Sequence, residues 1–447
     1  MASTLKGKSR LLAQLRPPTL GWLDLDSANT DAARRFIQSW TLEGSLDELG
    51  LGILRDAFAD RFFPATNTVM TELRYMIFVP AAFRRLERGR PAADTFQASR
   101  ALQDELRLVL RDTYGPVRGH GVIGLDAGRD LSRFPSDVYW GALRTLGIQR
   151  QVHDSEVVSV GRIRQGSEAA TTDDGQTMPG EAAQSTWDAR FPYHRNDSEL
   201  FDAKGKWRQD LRFDLPVAEA EYLRGCYSGE AAADPAQHKL LSTSLMAHLL
   251  KVRHPVAFKL PWDVPPTDHL RVAVAHARWL SAFAAGTGLH YAFLLGRLTG
   301  KQDVAEMSRE RFGRWWRVGG EQVRAMLAQA FVDDPFVRSL LRARGAAVLP
   351  NDWTSDRAFL LAWASALERH TQPDVFLADT AAAALIERRE LACKGPKCRL
   401  RSERYRSAWN GGVPVPIEDA YLLDYRSKTA SLFLQRILAP LAPVPHG

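Results

Sequence analysis

The segment 268–298, DHLRVAVAHARWLSAFAAGTGLHYAFLLGRL, constrains the fold of this chain more than any other. It is rich in apolar residues and reads as packed core helices. Gly286 and Gly288 lie within it, but no strand precedes them and the third glycine of a nucleotide loop is missing. They read as points of close helix packing, and His290 as a core histidine. No window of the chain reaches about 18 uninterrupted apolar residues, so no membrane span is expected. The chain is mostly helical from Val217 onward, and Thr354 to Arg369 is another amphipathic helix.

At 447 residues, and roughly 100–200 residues per domain, two or three domains are expected. Residues 1–20 form a basic N-terminal extension without the apolar core of a secretory signal. Residues 21–165 form a first helical domain with helices near 32–40, 55–62, 69–79 and 95–113. Residues 166–195 have little apolar patterning and read as a linker or mobile loop. Residues 196–447 form a second helical domain ending in a basic tail. The fold class is mainly α, multi-helical, with a small winged-helix-like α+β module closing the first half.

The stretch DELGLGILRDAFADRFFPATNTVMTELRYMIFVP (47–80) sets charges in a thick apolar frame. Asp56 and Asp60 are four apart and share a helix face. With Glu72 they have the residue types for a metal-dependent nuclease. The same carboxylates suit ion pairs with Arg61, Arg74 or Arg84 that pin two helices together. A metal nuclease often uses a nearby lysine, and none lies between Lys8 and Lys204. The structural reading is therefore preferred: Asp47, Glu48, Arg55, Asp56 and Arg74 fix helix geometry. Pro64 is expected to stop the first helix and Pro80 the next.

FPSDVYWGALRTLGIQRQVHDSEVVSVGRIR (134–164) begins with a capping signal at Ser136 and Asp137 and stops its helix at Gly147. EVVSVGRIR has strand character. A capped helix followed by a strand region resembles the end of a winged helix-turn-helix. Val138, Ala142, Leu143 and Leu146 form the inward row, while Tyr139, Trp140 and Arg144 project elsewhere. Arg144 would meet nucleic acid from the helix, and Arg162 and Arg164 from the wing.

IERRELACKGPKCRLRSERYRSAWNGG (386–412) carries Arg388, Arg389, Lys394, Lys397, Arg399, Arg401, Arg404 and Arg406 against Glu387, Glu390 and Glu403. The local surplus, 8 − 3 = 5, is most of the chain's net charge of +7. With Tyr405 and Trp409 interleaved, the tract suits phosphate contact and base stacking. The competing reading is a solvated helix face with local Glu–Arg pairs. Asp424 and Arg426 further on have neighbours or this tract as their expected partners.

Three cysteines, Cys226, Cys393 and Cys398, fit a reducing cytoplasm and supply no second ligand pair for zinc. The nucleophile, zinc-protease and phosphate-loop motifs are absent from the sequence, so neither metal nor cofactor is expected.

Several blocks carry a family resemblance. GWLDLDS, DELGLGILRDAFADRFFP and RYMIFVP, then FPSDVYWGALRTLGI, FDLPVAEAEYLR, HARWLSAFAAGTGLHYAFLL and RLRSERYRSAWNGG with LDYR, occur in the order of the bacterial domain of unknown function 6361 family. The blocks run from Gly21 to Arg426. The chain departs at Ala65, where the family carries glycine, and at Glu72, where it carries arginine. Members of that family resemble genes beside helicases and nucleases in phage-defence loci. The resemblance implies that setting and no activity; the basic tract and the helix–wing region favour a non-catalytic subunit that binds DNA or RNA for such a partner, and the few cysteines a cytoplasmic one. The alternatives are the Asp56/Asp60 nuclease and a protein-binding scaffold.

Overall fold

A computed structural model describes residues 48–88, 95–115, 121–125, 133–150, 187–193, 196–232, 234–254, 257–347 and 353–442. Asp47, Arg162, Arg164, the N-terminal extension, the helix expected near 32–40 and the EVVSVGRIR strand lie outside the described residues. The described residues carry sixteen α-helices and only isolated β-bridges. The fold is therefore mainly helical. Just before the stretch that holds the expected wing, which lies outside the described residues, Gln149 forms an isolated antiparallel bridge with Trp187.

The first half contributes α1 (Gly52–Phe62), α2 (Tyr75–Arg88), α3 (Thr95–Tyr114) and α4 (Pro135–Thr145). Pro80 does not end α2 but sits inside it. An interior proline costs about 3 kcal/mol. Tyr75, Met76, Ile77, Phe78, Val79 and Phe83 are all buried along the same helix. Each contributes roughly 1.5–3 kcal/mol by burial, which outweighs the lost hydrogen bond.

Helix α4 starts as its sequence asks, with the Asp137 carboxylate accepting from Phe134 N at 2.9 Å. It ends at Gly147 with φ +72°, where Gly147 N donates to Arg144 O and Ile148 N to Leu143 O. Tyr139 does not project outward. It is fully buried, donates to Glu72 O at 2.8 Å and accepts from Thr71 N and Glu72 N.

The second half runs through α5 (Val217–Tyr227), α6 (Pro235–Ser242), α7 (Leu245–Lys251), α8 (Asp268–Leu298), α9 (Gln302–Arg324), α10 (Ala328–Asp333) and α11 (Pro335–Ala347). It continues with α12 (Trp353–Glu368), α13 (Pro373–Ala378), α14 (Thr380–Lys394), α15 (Glu403–Arg406) and α16 (Ser427–Leu438). Side-chain caps start three of these: Asp234 for α6, Ser244 for α7 and Asp379 for α14. Helices α8 and α9 form an antiparallel hairpin at the centre. A side chain at Gly286 would sit 2.3 Å from the Trp315 ring, so the glycine sets the closeness of that hairpin.

One continuous core runs from Leu49 to Ile437 and joins the two halves. The end of the interval read as linker belongs to it. Trp187, Phe191 and Tyr193 are buried, and Trp187 Nε1 donates to Glu87 at 2.8 Å. Aromatic side chains recover surface area there that a linker reading leaves exposed. No helix among the described residues is long and apolar enough to cross a membrane.

Candidate nucleic-acid interface

Among the described residues, the charges of the opening stretch separate into four pairings, one of which ties Glu48 to the basic tract. Arg74 is buried and grips Glu219 with two hydrogen bonds of 2.8 Å, while its third nitrogen donates to Arg212 O at 2.6 Å. Glu219 is fully buried and also accepts from the Tyr193 hydroxyl at 2.7 Å. Burial opposes the Arg74 charge, but the hydrogen bond and field of Glu219 outweigh it and raise its pKa.

Asp56 and Asp60 share Arg426, which stands at the N-terminus of α16. Arg426 Nη1 lies 2.6 Å from Asp60, Arg426 Nη2 lies 3.3 Å from Asp56, and Nη1 also donates to Thr66 O at 2.7 Å. Arg55 adds a further pair to Asp56 at 3.1 Å. Asp56 is 42% exposed, so it is not a buried pair partner. Arg61 packs over Phe336 and Arg84 over Phe191. Glu72 belongs elsewhere: it is buried and faces Arg436 of α16 at 2.9 and 3.0 Å. Burial raises the Glu72 carboxyl above the usual carboxylate range, with Arg436 pulling it back. Arg426 therefore holds the two candidate catalytic aspartates and Arg436 the glutamate. Among the described residues, no group of three or more His, Cys, Asp or Glu side chains is arranged to hold a metal ion.

The basic tract folds around one buried carboxylate. Glu390, on α14, accepts from the Tyr291 hydroxyl at 2.7 Å, Arg399 N at 3.0 Å, Leu400 N at 3.0 Å, Lys394 at 3.2 Å and Cys398 Sγ at 3.2 Å. These bonds turn the chain back on α14 after residue 398. Burial, and then Glu390, pushes the Cys398 thiol up to about 11, so it remains protonated.

Five of the tract's eight cations are committed within the fold. Arg389 is buried, paired with Asp356 and donating to Leu49 O at 2.7 Å. Lys394 and Arg399 both pair with Glu48. Arg401 pairs with Glu387 at 2.5 Å, and Arg406 donates to Arg399 O and Leu400 O. Trp409 is buried and is not a stacking platform, while Tyr405 is half-buried beneath Arg404. Counting Glu48 and Asp356 reduces the local surplus from 5 to 8 − 5 = 3. Arg388, Lys397 and Arg404 stay exposed, and none of them pairs with a carboxylate among the described residues; Arg388 Nε makes one hydrogen bond, to Ala384 O at 3.2 Å. Arg144 is half-exposed at the end of α4.

The sequence reading missed Glu219, Asp356 and Arg436 as partners. Its LDYR block did contain Arg426, whose partners are Asp56 and Asp60 rather than the basic tract.

Fold and site together define a multi-helical protein in which ion pairs such as Arg74–Glu219, Arg389–Asp356 and Arg426–Asp60 join segments distant in sequence, with a small exposed basic module in residues 386–412. Residues 18–170 match the model of the "Family of unknown function (DUF6361)". The resemblance read in the opening blocks thus holds over that stretch, and the blocks beyond it lie outside the matched residues. No curated protein and no solved structure matches the chain.

Proposed function

We propose that the protein is a non-catalytic nucleic-acid-binding subunit. It would act in the cytoplasm beside a helicase or nuclease of a multi-gene bacterial anti-phage system. The supporting observation is the exposed trio Arg388, Lys397 and Arg404, which internal carboxylates leave uncommitted in a module whose other cations are held by carboxylates or, for Arg406, by backbone carbonyls. Exposed cations without acidic partners contact phosphates through charge and need no base readout. Arg144 would add a contact from α4, with Arg162 and Arg164 on a wing completing a winged-helix module. The phage-defence setting rests on the family resemblance alone. The nuclease alternative draws no support from geometry, because Arg426 holds Asp56 and Asp60 while Arg436 holds Glu72.

Two variants test the reading. Arg388→Ala/Lys397→Ala/Arg404→Ala is expected to weaken binding to duplex DNA or RNA of any sequence, with the melting temperature unchanged. Arg401→Ala, which breaks only the exposed pair with Glu387, is expected to have a smaller effect. Equal binding by the parent and the triple variant in fluorescence anisotropy would remove the trio from the interface.

A further inference from the structure

A cleft of about 370 Å³ opens beside α5, α6 and α7, and Arg224, Ser228, Glu230, Ser242, Lys251 and Arg253 line it. It lies outside both the opening stretch and the basic tract. Three cations against one carboxylate leave it 3 − 1 = +2. Among the described residues, no hydrogen bond or ion pair engages the side chains of Arg224, Lys251 or Arg253. That sets them apart from the tail, where five of eight cations are committed.

Arg253 is one of six non-glycine residues with positive φ among the described residues, and the one that lines this cleft. Helix α7 ends in a left-handed stop: Arg253 has φ +49°, its N–H donates to Leu250 O, and His254 N donates to Leu249 O at 3.0 Å. The same stop ends α4, but there the left-handed residue is Gly147. Glycine takes this conformation freely, whereas a side chain costs roughly 1–2 kcal/mol. The helix dipole favours a cation near this end, yet Lys251 already supplies one at an unstrained position. An arginine kept where glycine is preferred, lining a cleft with two further cations, fits strain retained at a binding site. His248 on the same helix feels one of these cations, Lys251. Burial first, and then His269, Lys251 and His254, hold its pKa below the ordinary value.

We propose that this cleft binds a phosphate monoester. A monoester carries close to two negative charges near neutral pH, which matches the local +2. The three cations and the Ser242 hydroxyl supply donors for its oxygens, and Glu230 accepts from a hydroxyl or amine attached to the same ligand; the Ser228 hydroxyl already donates to Arg224 O. A cleft of this volume, at the low end of the roughly 300–1,000 Å³ typical of small-molecule sites, holds a mononucleotide-sized group. The phosphate could belong to a free nucleotide or to the 5′ end of a strand. The site does not depend on the tail's binding nucleic acid.

Isothermal titration calorimetry on the full chain tests this with adenosine 5′-monophosphate, adenosine, and a short single strand bearing a 5′-phosphate or a 5′-hydroxyl. At least one phosphorylated probe is expected to bind, with its unphosphorylated counterpart roughly tenfold or more weaker, since hydrogen bonds to charged groups contribute about 1.5–3 kcal/mol each. Binding of the mononucleotide assigns the site to free nucleotides; binding of the strand alone assigns it to strand ends. Arg253→Gly relaxes the backbone while removing the charge, so its melting temperature should equal or exceed the parent's while affinity falls at least tenfold. Arg224→Gln should lose affinity similarly, and the Arg388/Lys397/Arg404 triple variant should keep it. The proposal is overturned if neither phosphorylated probe binds the parent, if phosphate makes no difference, or if both Arg253→Gly and Arg224→Gln bind like the parent.

Discussion

Replacing Arg74 by methionine isolates the energetic difference between the buried and the exposed charges of the opening stretch. The substitution keeps most of the side-chain volume and removes three hydrogen bonds, two to Glu219 at 2.8 Å and one to Arg212 O at 2.6 Å. Glu219 would remain fully buried with the Tyr193 hydroxyl as its remaining side-chain donor. A carboxylate abandoned in that way costs about 3–5 kcal/mol. Asp56→Ala is the comparison. Its carboxylate is 42% exposed, and Arg426 keeps Asp60 and Thr66 O when it goes. Exposed pairs contribute about 0–1 kcal/mol, so that variant should lose no more. The double variant Arg74→Met/Glu219→Leu should recover much of the loss, because it removes the buried charge as well as its partner. Urea unfolding followed by far-ultraviolet circular dichroism and tryptophan fluorescence reads all three. An Arg74→Met cost below about 1 kcal/mol, or an Asp56→Ala cost equal to it, would refute the division of charges made here.

Two further perturbations follow from strain and burial. Ala65 has φ +60° where the resembled family carries glycine. Relief of about 1–2 kcal/mol of left-handed strain, less about 0.5–1 for glycine's entropy, predicts that Ala65→Gly stabilises by about 0.5–1 kcal/mol in urea unfolding. A lower midpoint at unchanged slope would contradict it. His290 is fully buried, and burial pushes its pKa down from 6.5 to about 3. The unfolded chain therefore takes up a proton below pH 6.5 that the folded chain refuses. The histidine's contribution is complete above that pH and falls by up to about 1.4 kcal/mol per unit as the pH drops towards 3. His290→Leu should flatten the acid limb of the stability curve by that slope, and parallel curves for parent and variant would show that His290 does not cause it.

Local signals in the sequence were reliable where the structure is local. Asp137 and Gly147 bracket α4 as their residue types require, and the 268–298 run is one buried helix with Gly286 pressed on Trp315. Pro80 misled because a local rule met a helix buried along most of its length, and tertiary packing won. The candidate site was less legible because its partners are distant in sequence. Glu48 and Arg399 are 351 residues apart, and Arg426 and Asp60 are 366 apart. Counting charges within the tract found Glu387 and Glu390 but could not find Glu48 or Asp356, so it overstated the free positive charge. Spacing likewise could not show that Trp409 packs inward, since an aromatic among arginines has the same pattern whether it is buried or exposed.

The central claim is that the protein holds nucleic acid through a few uncommitted cations. The most direct measurement is the affinity of the parent protein for a labelled duplex across a range of salt concentrations. The exposed trio alone predicts a linear fall of log affinity with log salt and a slope near −2.7, about −0.9 per contact, steepened by about 0.9 for each of Arg144, Arg162 and Arg164 that also meets a phosphate. The slope should be the same for unrelated sequences. The absence of measurable binding at low salt would contradict the claim and favour a protein scaffold, as would binding with no dependence on salt.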